Sequence, residues 1–289
     1  MHSNNHENII KTFNEFLAIR DLAKNTIKSY NSFLRCYLFW VDTELKIPAK
    51  EVSPEQIRKF ILYLKQVKKI SNRSINAYIS QIKFLQLYVL NRTWSKYDVP
   101  YMKFNTYLPN ILTKEEVSEF ISTMKNLKHK ACIALLYSAG LRVSELCHLR
   151  YEDIDRKNMR IYVRCSKSRS DRYAILSSNA LAILTEYWYA FDQPKQWLFP
   201  GRKPDSPIVS FTVSRFIADH ASFLDWDCKP NAHKFRHSFA THLYEQGVDL
   251  LTIQKLLGHK SINSTTIYVN LARDFSSKYK SPFDMGVKK

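Results

Sequence analysis

The sequence lacks a long apolar run. Within its 289 residues, the longest nearly apolar stretch is ACIALLYSAGL (131–141), which is too short to cross a bilayer. The N-terminal sequence MHSNNHENIIKTF has no apolar core of the kind that a signal peptide requires. We therefore expect a cytoplasmic protein with no membrane partner.

Cysteine is scarce, and its spacing excludes two kinds of site. The five cysteines are scattered along the chain without a C-x-x-C pair: Cys36, Cys132, Cys147, Cys165 and Cys228. Their odd number and irregular spacing argue against a disulfide framework and against a cysteine zinc site.

Acidic residues are few relative to basic ones. Lys and Arg total 44 against 26 Asp and Glu, giving a formal net charge of +18. Residues 1–100 carry 16 basic and 8 acidic side chains, and the remainder carry 28 and 18, so the excess is not a terminal tail. Such a balance favours a polyanionic partner through phosphate neutralisation, and nucleic acid is the expected one. The alternative from charge alone is a ribosomal-type or simply a basic soluble protein.

Apolar residues recur at helical spacing through residues 7–91, which predicts four helices packed as a compact bundle. Ser53, Pro54 and Gln56 form a typical helix start, with an N-cap, a first-turn proline and a capping box. The periodicity breaks after Arg92, where the chain carries two prolines and no sustained apolar face. The predicted organisation is a first domain over 1–92, a linker over 93–111 and a second domain over 112–289.

The second half is predicted to be mostly helical with one β-rich insertion. Thr113 and Glu116 form another capping box at the start of its first helix. The segment MRIYVRCSKSRSDRYAIL (159–176) is typical of a strand, a basic turn and a second strand. We therefore predict a mainly α fold with a small antiparallel sheet in the C-terminal domain.

The stretch HKFRHSFATHLYEQG (233–247) is rich in histidine, which first suggests metal. His233 and His237 have the i, i+4 spacing of a helical zinc motif, but Lys234, Phe235 and Arg236 stand between them, with no glutamate. We therefore expect no metal. His233 and Arg236 instead share one helical face and offer hydrogen-bond donors suited to a pair of phosphate oxygens.

Other segments supply compatible parts. Arg142 lies in GLRVSEL (140–146), where Glu145 is placed to hold it. Gly258 is predicted to end a helix, and Ser261 to cap the helix that carries Tyr268. The hairpin turn contributes Lys167, and LLGHKS (256–261) contributes His259.

At these residues the chain resembles the tyrosine recombinases, the phage-integrase and Xer family. That family combines an arginine in G-L-R-x-S-E-L, a lysine in a β-hairpin, H-x-x-R, a G-H, and a tyrosine nine residues after that histidine. All five features occur here in order over 113–273. The resemblance implies a catalytic set without cofactor or metal: Arg142, Lys167, His233, Arg236, His259 and Tyr268.

The hairpin departs from the family wording. It reads CSKSRSDR (165–172) rather than G-K-G-x-K-x-R. Counting back from RYAIL aligns Lys167 with the catalytic lysine, and leaves Arg164, Arg169 and Arg172 as nearby cations. The family assigns no direct step to His237, for which we predict a packing or positioning role.

The resemblance also implies architecture and partners. The N-terminal four-helix unit corresponds to the family's core-binding (SAM-like) domain, which clamps double-stranded DNA together with the catalytic domain. Four protomers are expected in the synaptic complex, with accessory DNA-bending proteins as further partners. We expect the recombinase or integrase of a mobile element. The alternatives are Xer-type dimer resolution, type IB topoisomerase-like relaxation, and a DNA-binding regulator that has lost cleavage.

Overall fold

The computed structural model of the chain describes residues 2–105, 108–164, 171–203, 205–224, 226 and 229–272, with side chains from residue 6 onwards. The chain divides into two units, Met1–Thr106 and Tyr107–Lys289. The division falls within the segment that the sequence marks as a linker.

The first unit contains the four predicted helices. They are α1 (His2–Ile19), α2 (Lys24–Trp40), α3 (Pro54–Gln66) and α4 (Asn72–Phe84). The Ser53–Gln56 capping box at the start of α3 is confirmed, since both of its reciprocal hydrogen bonds form. Fully buried aromatic side chains, among them Phe13, Tyr37 and Phe60, fill the space between the helices. The predicted apolar faces therefore build one core.

Part of the predicted linker packs on this first unit. The Asn76 amide donates to the Met102 carbonyl at 2.9 Å and accepts from the Met102 backbone N–H at 2.8 Å. Val99 is 3% exposed and belongs to the same core, against which Trp94 also packs. These contacts fix the chain up to about residue 103, whereas the linker bounds 93–111 stay a prediction.

The second unit is mostly helical, as predicted. Its helices are α5 (Lys114–Ser122), α6 (Leu127–Ser138), α7 (Val143–Cys147), α8 (Ser178–Ala190), α9 (Ser210–Phe223), α10 (Ala232–Glu245), α11 (Leu250–Leu257) and α12 (Ile267–Leu271). The apolar run at 131–141 lies mainly in α6, which packs against α8, α9 and α10. None of the described helices is long and apolar enough to span a membrane.

A small antiparallel sheet completes this unit. Its strands are β1 (Ile154–Asp155), β2 (Arg160–Val163) and β3 (Arg172–Ile175), in the order β1-β2-β3. The predicted hairpin is confirmed, with Arg160 opposite Ile175 and Val163 opposite Arg172. The two-residue strand β1 was not predicted, because so short a segment carries no alternation. Residues 165–170, for which the basic turn and Lys167 are predicted, lie outside the described residues.

A second, smaller core brings the C-terminal motifs together. Phe239 from α10, Ile253 and Leu257 from α11, and Tyr268 from α12 bury one another. Gly140 lies against this cluster with a φ of +59°, and a Cβ there would lie 2.4 Å from the Phe239 ring. Glycine is therefore required for the segment that leads into Arg142 to approach α10.

Candidate active site

Arg142 and Glu145 are held together by the start of α7. Arg142 is the N-cap residue, and its backbone N–H donates to Glu145 Oε2 at 2.8 Å. The Arg142 Nη1 donates to Glu145 Oε1 at 2.6 Å. The predicted contact between these side chains is therefore confirmed. Since one carboxylate binds both the backbone and the side chain of Arg142, it fixes the direction of the guanidinium.

Arg236 lies on α10 and is held by two backbone carbonyls. Its Nη1 donates to Gly140 O and its Nη2 to Leu257 O, each at 2.6 Å. Burial, followed by the charge of Arg142, lowers the pKa of Arg236 to about 9. The group stays protonated at neutral pH, because that value lies above 7. Arg236 is thus a buried cation of fixed orientation.

Arg172, on β3, is a third arginine at this place. Its Nη1 and Nη2 donate to Glu145 Oε1 and Oε2, each at 2.8 Å, and its Nε donates to Leu256 O at 2.8 Å. From the sequence alone, Arg172 is only a cation near Lys167. The signal that could have found it is strand alternation: Arg172 shares the inward face with the buried Ala174 and Leu176. An inward charge requires a buried counter-ion.

The carboxylate of Glu145 is the negative centre of this cluster. Its side chain is 1% exposed and lies 3.6 Å from Arg236 as well. Burial alone would raise its pKa, but the hydrogen bonds and charge of Arg172, with those of Arg142, lower the pKa to about 2. One anion against three cations leaves a net positive charge, which suits a phosphate group.

His259 follows the end of α11. Gly258 ends that helix in a left-handed conformation with a φ of +64°, which confirms the predicted C-cap. The His259 Nδ1 lies 2.9 Å from the hydroxyl of the fully buried Thr265. Burial, with the charges of Arg236 and Arg142, lowers the pKa of His259 to about 4, so the ring is neutral at pH 7. When Thr265 donates to Nδ1, the ring proton resides on Nε2, which can donate to an oxygen.

Tyr268 lies on α12 between the arginines and two histidines. The residue is 1% exposed, and its ring centroid is 5.8 Å from that of His237 and 6.3 Å from that of His259. Burial raises the pKa of Tyr268 to about 12, although the charges of Arg236 and Arg142 act in the opposite direction. The phenol is therefore protonated at neutral pH, and only a proton acceptor would make it a nucleophile.

The predicted cap of the Tyr268 helix is wrong. The Ser261 hydroxyl accepts from the Asn263 backbone N–H and caps the 3₁₀ turn Ile262–Ser264, not α12. Helix α12 starts only after Thr266, which makes no side-chain capping bond. The chain turns twice between Gly258 and Tyr268, and a single cap position cannot start both turns.

The two histidines at the start of α10 differ in environment. His233 is exposed, with its ring 6.5 Å from that of His237. His237 is partly buried, and among the described residues its Nδ1 has no hydrogen-bond partner. Burial, with His233 and Arg236, lowers the pKa of His237 to about 4. No group of three or more potential ligands for a metal occurs in the described part of the chain.

Of the six candidate residues, the structure places five. Arg142, Arg236, His259 and Tyr268 share one site, with His233 at its exposed edge. Lys167 lies outside the described residues, so its role stays a prediction. Arg164, at the end of the preceding strand, is paired with Glu152 at 2.6 Å and Asp153 at 2.8 Å.

Comparisons with known proteins cover both units. Residues 110–274 match the model of the phage integrase family, and residues 9–96 match that of the phage integrase N-terminal SAM-like domain. The chain is 37% identical to y4qK of Sinorhizobium fredii, named as a candidate integrase/recombinase, over 94% of this chain and 87% of that protein. It is 31% identical to the tyrosine recombinase XerA of Pyrococcus horikoshii over 91% of this chain and 89% of that one.

A solved structure shows the same fold at lower identity. The Tn1549 transposon integrase, determined in complex with transposon right end DNA, superposes with a TM-score of 0.74 at 18% identity. The superposition covers 96% of each chain. The likeness extends over both units of the chain.

Because Glu145 is ionised and paired with buried arginines, we predict that the free energy of unfolding falls in acid. The pKa of Glu145 falls from 4.5 to about 2 on folding, so its contribution is complete above pH 4.5 and is lost as the pH falls towards 2. That shift corresponds to roughly 3 kcal/mol. Glu145→Gln should lower the free energy of unfolding at pH 7 by about 3–5 kcal/mol, because buried arginines lose their counter-ion. Urea unfolding followed by circular dichroism at several pH values measures both effects.

The matched control is Glu152→Gln, which removes an exposed carboxylate that also pairs with arginines. This variant should keep the wild-type stability within about 1 kcal/mol. An unfolding free energy of Glu145→Gln that falls between pH 5 and pH 2 as steeply as in the wild type would contradict the prediction.

Proposed function

The chain belongs to the phage integrase family and is a tyrosine recombinase, and from this premise we propose how its residues cut and rejoin DNA. The observation that carries the proposal is the convergence of Arg142 and Arg236 beside His259 and Tyr268. Tyr268 attacks a DNA phosphodiester, forming a 3′-phosphotyrosine link and releasing a 5′-hydroxyl. Reversal by another 5′-hydroxyl rejoins the strand without ATP, because the link conserves the bond energy.

The arginines stabilise the charge that develops during transfer. Negative charge grows on the nonbridging oxygens as the phosphoryl group passes to the tyrosine. Arg142 and Arg236 bind those oxygens, and the neutral His259 donates a further hydrogen bond through Nε2. The orientation of Arg236 is set in advance by Gly140 O and Leu257 O. Side-chain cations thus do the work that Mg²⁺ does in other phosphoryl transfers.

The proton of Tyr268 passes to His233. His233 is exposed, so its cationic form is solvated once it has accepted the proton. The His237 ring centroid lies 5.8 Å from that of Tyr268, but its lowered pKa makes His237 a poor acceptor. Lys167 acts as general acid and protonates the leaving 5′-oxygen.

Double-stranded DNA is the proposed partner of both units. Six cations on the first unit are proposed phosphate contacts, and all six are exposed: Lys24, Lys28, Arg35, Lys65, Lys69 and Arg73. The net charge of +18 and the DNA-bound Tn1549 integrase support this partner. Four protomers around two sites, helped by DNA-bending proteins in the cytoplasm, form the proposed working complex. The segment after Tyr268 is the proposed arm to a neighbouring protomer, and residues 273–289 of it lie outside the described part.

The proposed biological role is integration or excision of a mobile element. The likeness to a transposon integrase supports it, whereas the 31% identity to XerA favours dimer resolution as the second candidate. The genes that neighbour this one distinguish the two roles. A strand-exchange assay with two DNA sites separates both from topoisomerase-like relaxation, which exchanges no partners.

Tyr268→Phe should abolish the covalent protein–DNA adduct and leave DNA binding close to the wild type, because only the nucleophilic oxygen is removed. A nicked suicide duplex, with the adduct resolved by denaturing gel electrophoresis, measures attachment. Tyr189→Phe, which removes the hydroxyl of an exposed tyrosine in the same unit, is the control and should form the normal adduct. An adduct of full yield in Tyr268→Phe would show that another residue attacks.

Lys167→Ala should slow cleavage of normal DNA by ~10²-fold or more, the usual scale for the loss of a general acid. A substrate with a 5′-bridging phosphorothiolate should restore most of the rate, because a thiolate leaves without a proton. Arg142→Ala should gain nothing from the sulfur substrate, since the charge that Arg142 meets still develops. Single-turnover rates on both substrates test this, and a Lys167→Ala variant that gains nothing would exclude Lys167 as the acid.

A further inference from the structure

Three successive carbonyls at the end of α11 each accept a hydrogen bond from a different arginine. Leu256 O accepts from Arg172 Nε at 2.8 Å, Leu257 O from Arg236 Nη2 at 2.6 Å, and Gly258 O from Arg142 Nη2 at 3.3 Å. The carboxyl end of a helix carries partial negative charge and unpaired carbonyls, so it suits cations. The helix end therefore sets the relative positions of the three arginines.

Arg172 and Arg142 bind the carboxylate of Glu145 with different numbers of hydrogen bonds from their side chains. Arg172 binds both oxygens, at 2.8 Å each, and its side chain is 9% exposed. Arg142 binds only Oε1 through its side chain, and that side chain is 21% exposed. The side-chain bond from Arg142 Nη2 to Gly258 O is long, at 3.3 Å. Arg172 thus makes the bidentate pair, while Arg142 makes one short bond to the carboxylate and one long bond to Gly258 O, and its side chain is the more exposed of the two.

The backbone around Arg172 is shaped to fit its side chain. A Cβ at Gly258 would lie 2.9 Å from Arg172 Cδ and 3.3 Å from its Nε. The glycine at 258 therefore meets two requirements, a left-handed backbone and the passage of Arg172 from β3 to Leu256 O. This fit ties strand β3, helix α7 and the end of α11 to a single side chain.

We propose that Arg172 is a positioning residue for the phosphate clamp, because it occupies both Glu145 oxygens and so keeps Arg142 available for the scissile phosphate. The inference rests on the proposed function, in which Arg142 binds that phosphate. Without Arg172, Glu145 Oε2 keeps the Arg142 backbone N–H but loses the guanidinium that binds it at 2.8 Å. Arg142, already bound to Oε1, then rotates into a bidentate pair with the carboxylate, and its donors turn away from the DNA.

Arg172→Ala should therefore slow cleavage, because Arg142 would be drawn away from the scissile phosphate. We expect single-turnover cleavage of a suicide duplex to fall by about tenfold or more, the effect of a weakened charge contact in the transition state. In an Arg142→Ala background, Arg172→Ala should slow cleavage by less than about twofold further. The effects of two residues that act through one contact are not additive. Equal losses in both backgrounds would overturn the inference and leave Arg172 with a purely structural role.

A neutral substrate provides a readout that a loss of folding does not move. A methylphosphonate at the scissile position lacks the charge of one nonbridging oxygen, so the rate of its cleavage depends less on Arg142. Both Arg142→Ala and Arg172→Ala should cleave it at a rate much closer to that of the wild type than on normal DNA. A defect of Arg172→Ala that is the same on both substrates would contradict the proposal.

Two further variants complete the design. Arg172→Lys keeps the charge but lacks the planar fork that meets both carboxylate oxygens and the Leu256 carbonyl, so it should show the same pattern, more weakly. It replaces the alanine variant if that variant fails to fold. Arg164→Ala, whose arginine pairs with Glu152 and Asp153, is the matched control and should cleave normally.

Cleavage by Arg142→Ala distinguishes the phosphate clamp from the positioning role of Arg172. If Arg142→Ala cleaves normal DNA at the wild-type rate, the clamp in the proposed function is wrong, and the role of Arg172 falls with it. If Arg142→Ala is defective but shows no coupling to position 172, only the role of Arg172 is wrong.

Discussion

The buried carboxylate of Glu145 is the interaction on which the rest of the site depends. Three guanidinium groups lie within 3.6 Å of it, and without its charge they would repel one another in a place that water scarcely reaches. The carboxylate also binds the backbone of Arg142, so a single side chain fixes both the start of α7 and the cation that α7 presents. Because one carboxylate faces three guanidinium groups, the cluster keeps an excess of positive charge, which suits a phosphate.

Backbone carbonyls, together with Glu145, hold the arginines in place. Arg236 is bound by carbonyls at Gly140 and Leu257, and the glycines at 140 and 258 adopt left-handed conformations next to them. These glycines lie far apart in sequence, yet each lets a backbone segment approach a side chain that a Cβ would obstruct. The cations are thus oriented by rigid elements, which limits the reorganisation needed when a charged substrate enters.

Burial and positive charge shift the pKa in opposite directions for Tyr268, the proposed nucleophile, and in the same direction for His259. For Tyr268, burial raises the pKa and the arginines lower it, with burial dominant at about 12. For His259, both effects lower the pKa, to about 4. The resting site therefore holds a protonated tyrosine and a neutral imidazole beside permanent cations. A phosphate that binds the arginines reduces the positive field, so deprotonation of Tyr268 depends on a nearby base rather than on the arginines alone.

The order of residues alone predicts the helices of the first unit, the capping boxes at Ser53 and Thr113, the paired strands and the family, because these depend on local periodicity and on motif order. It also determined the Arg142–Glu145 contact, since both residues lie on one turn. The folded chain, by contrast, brings Arg172 to the same carboxylate and His237 beside Tyr268, and it makes Ser261 the cap of a separate turn. Those contacts join residues from different segments or depend on the path of the chain between two turns. Local spacing carries no information about which distant carbonyl or carboxylate a side chain will meet.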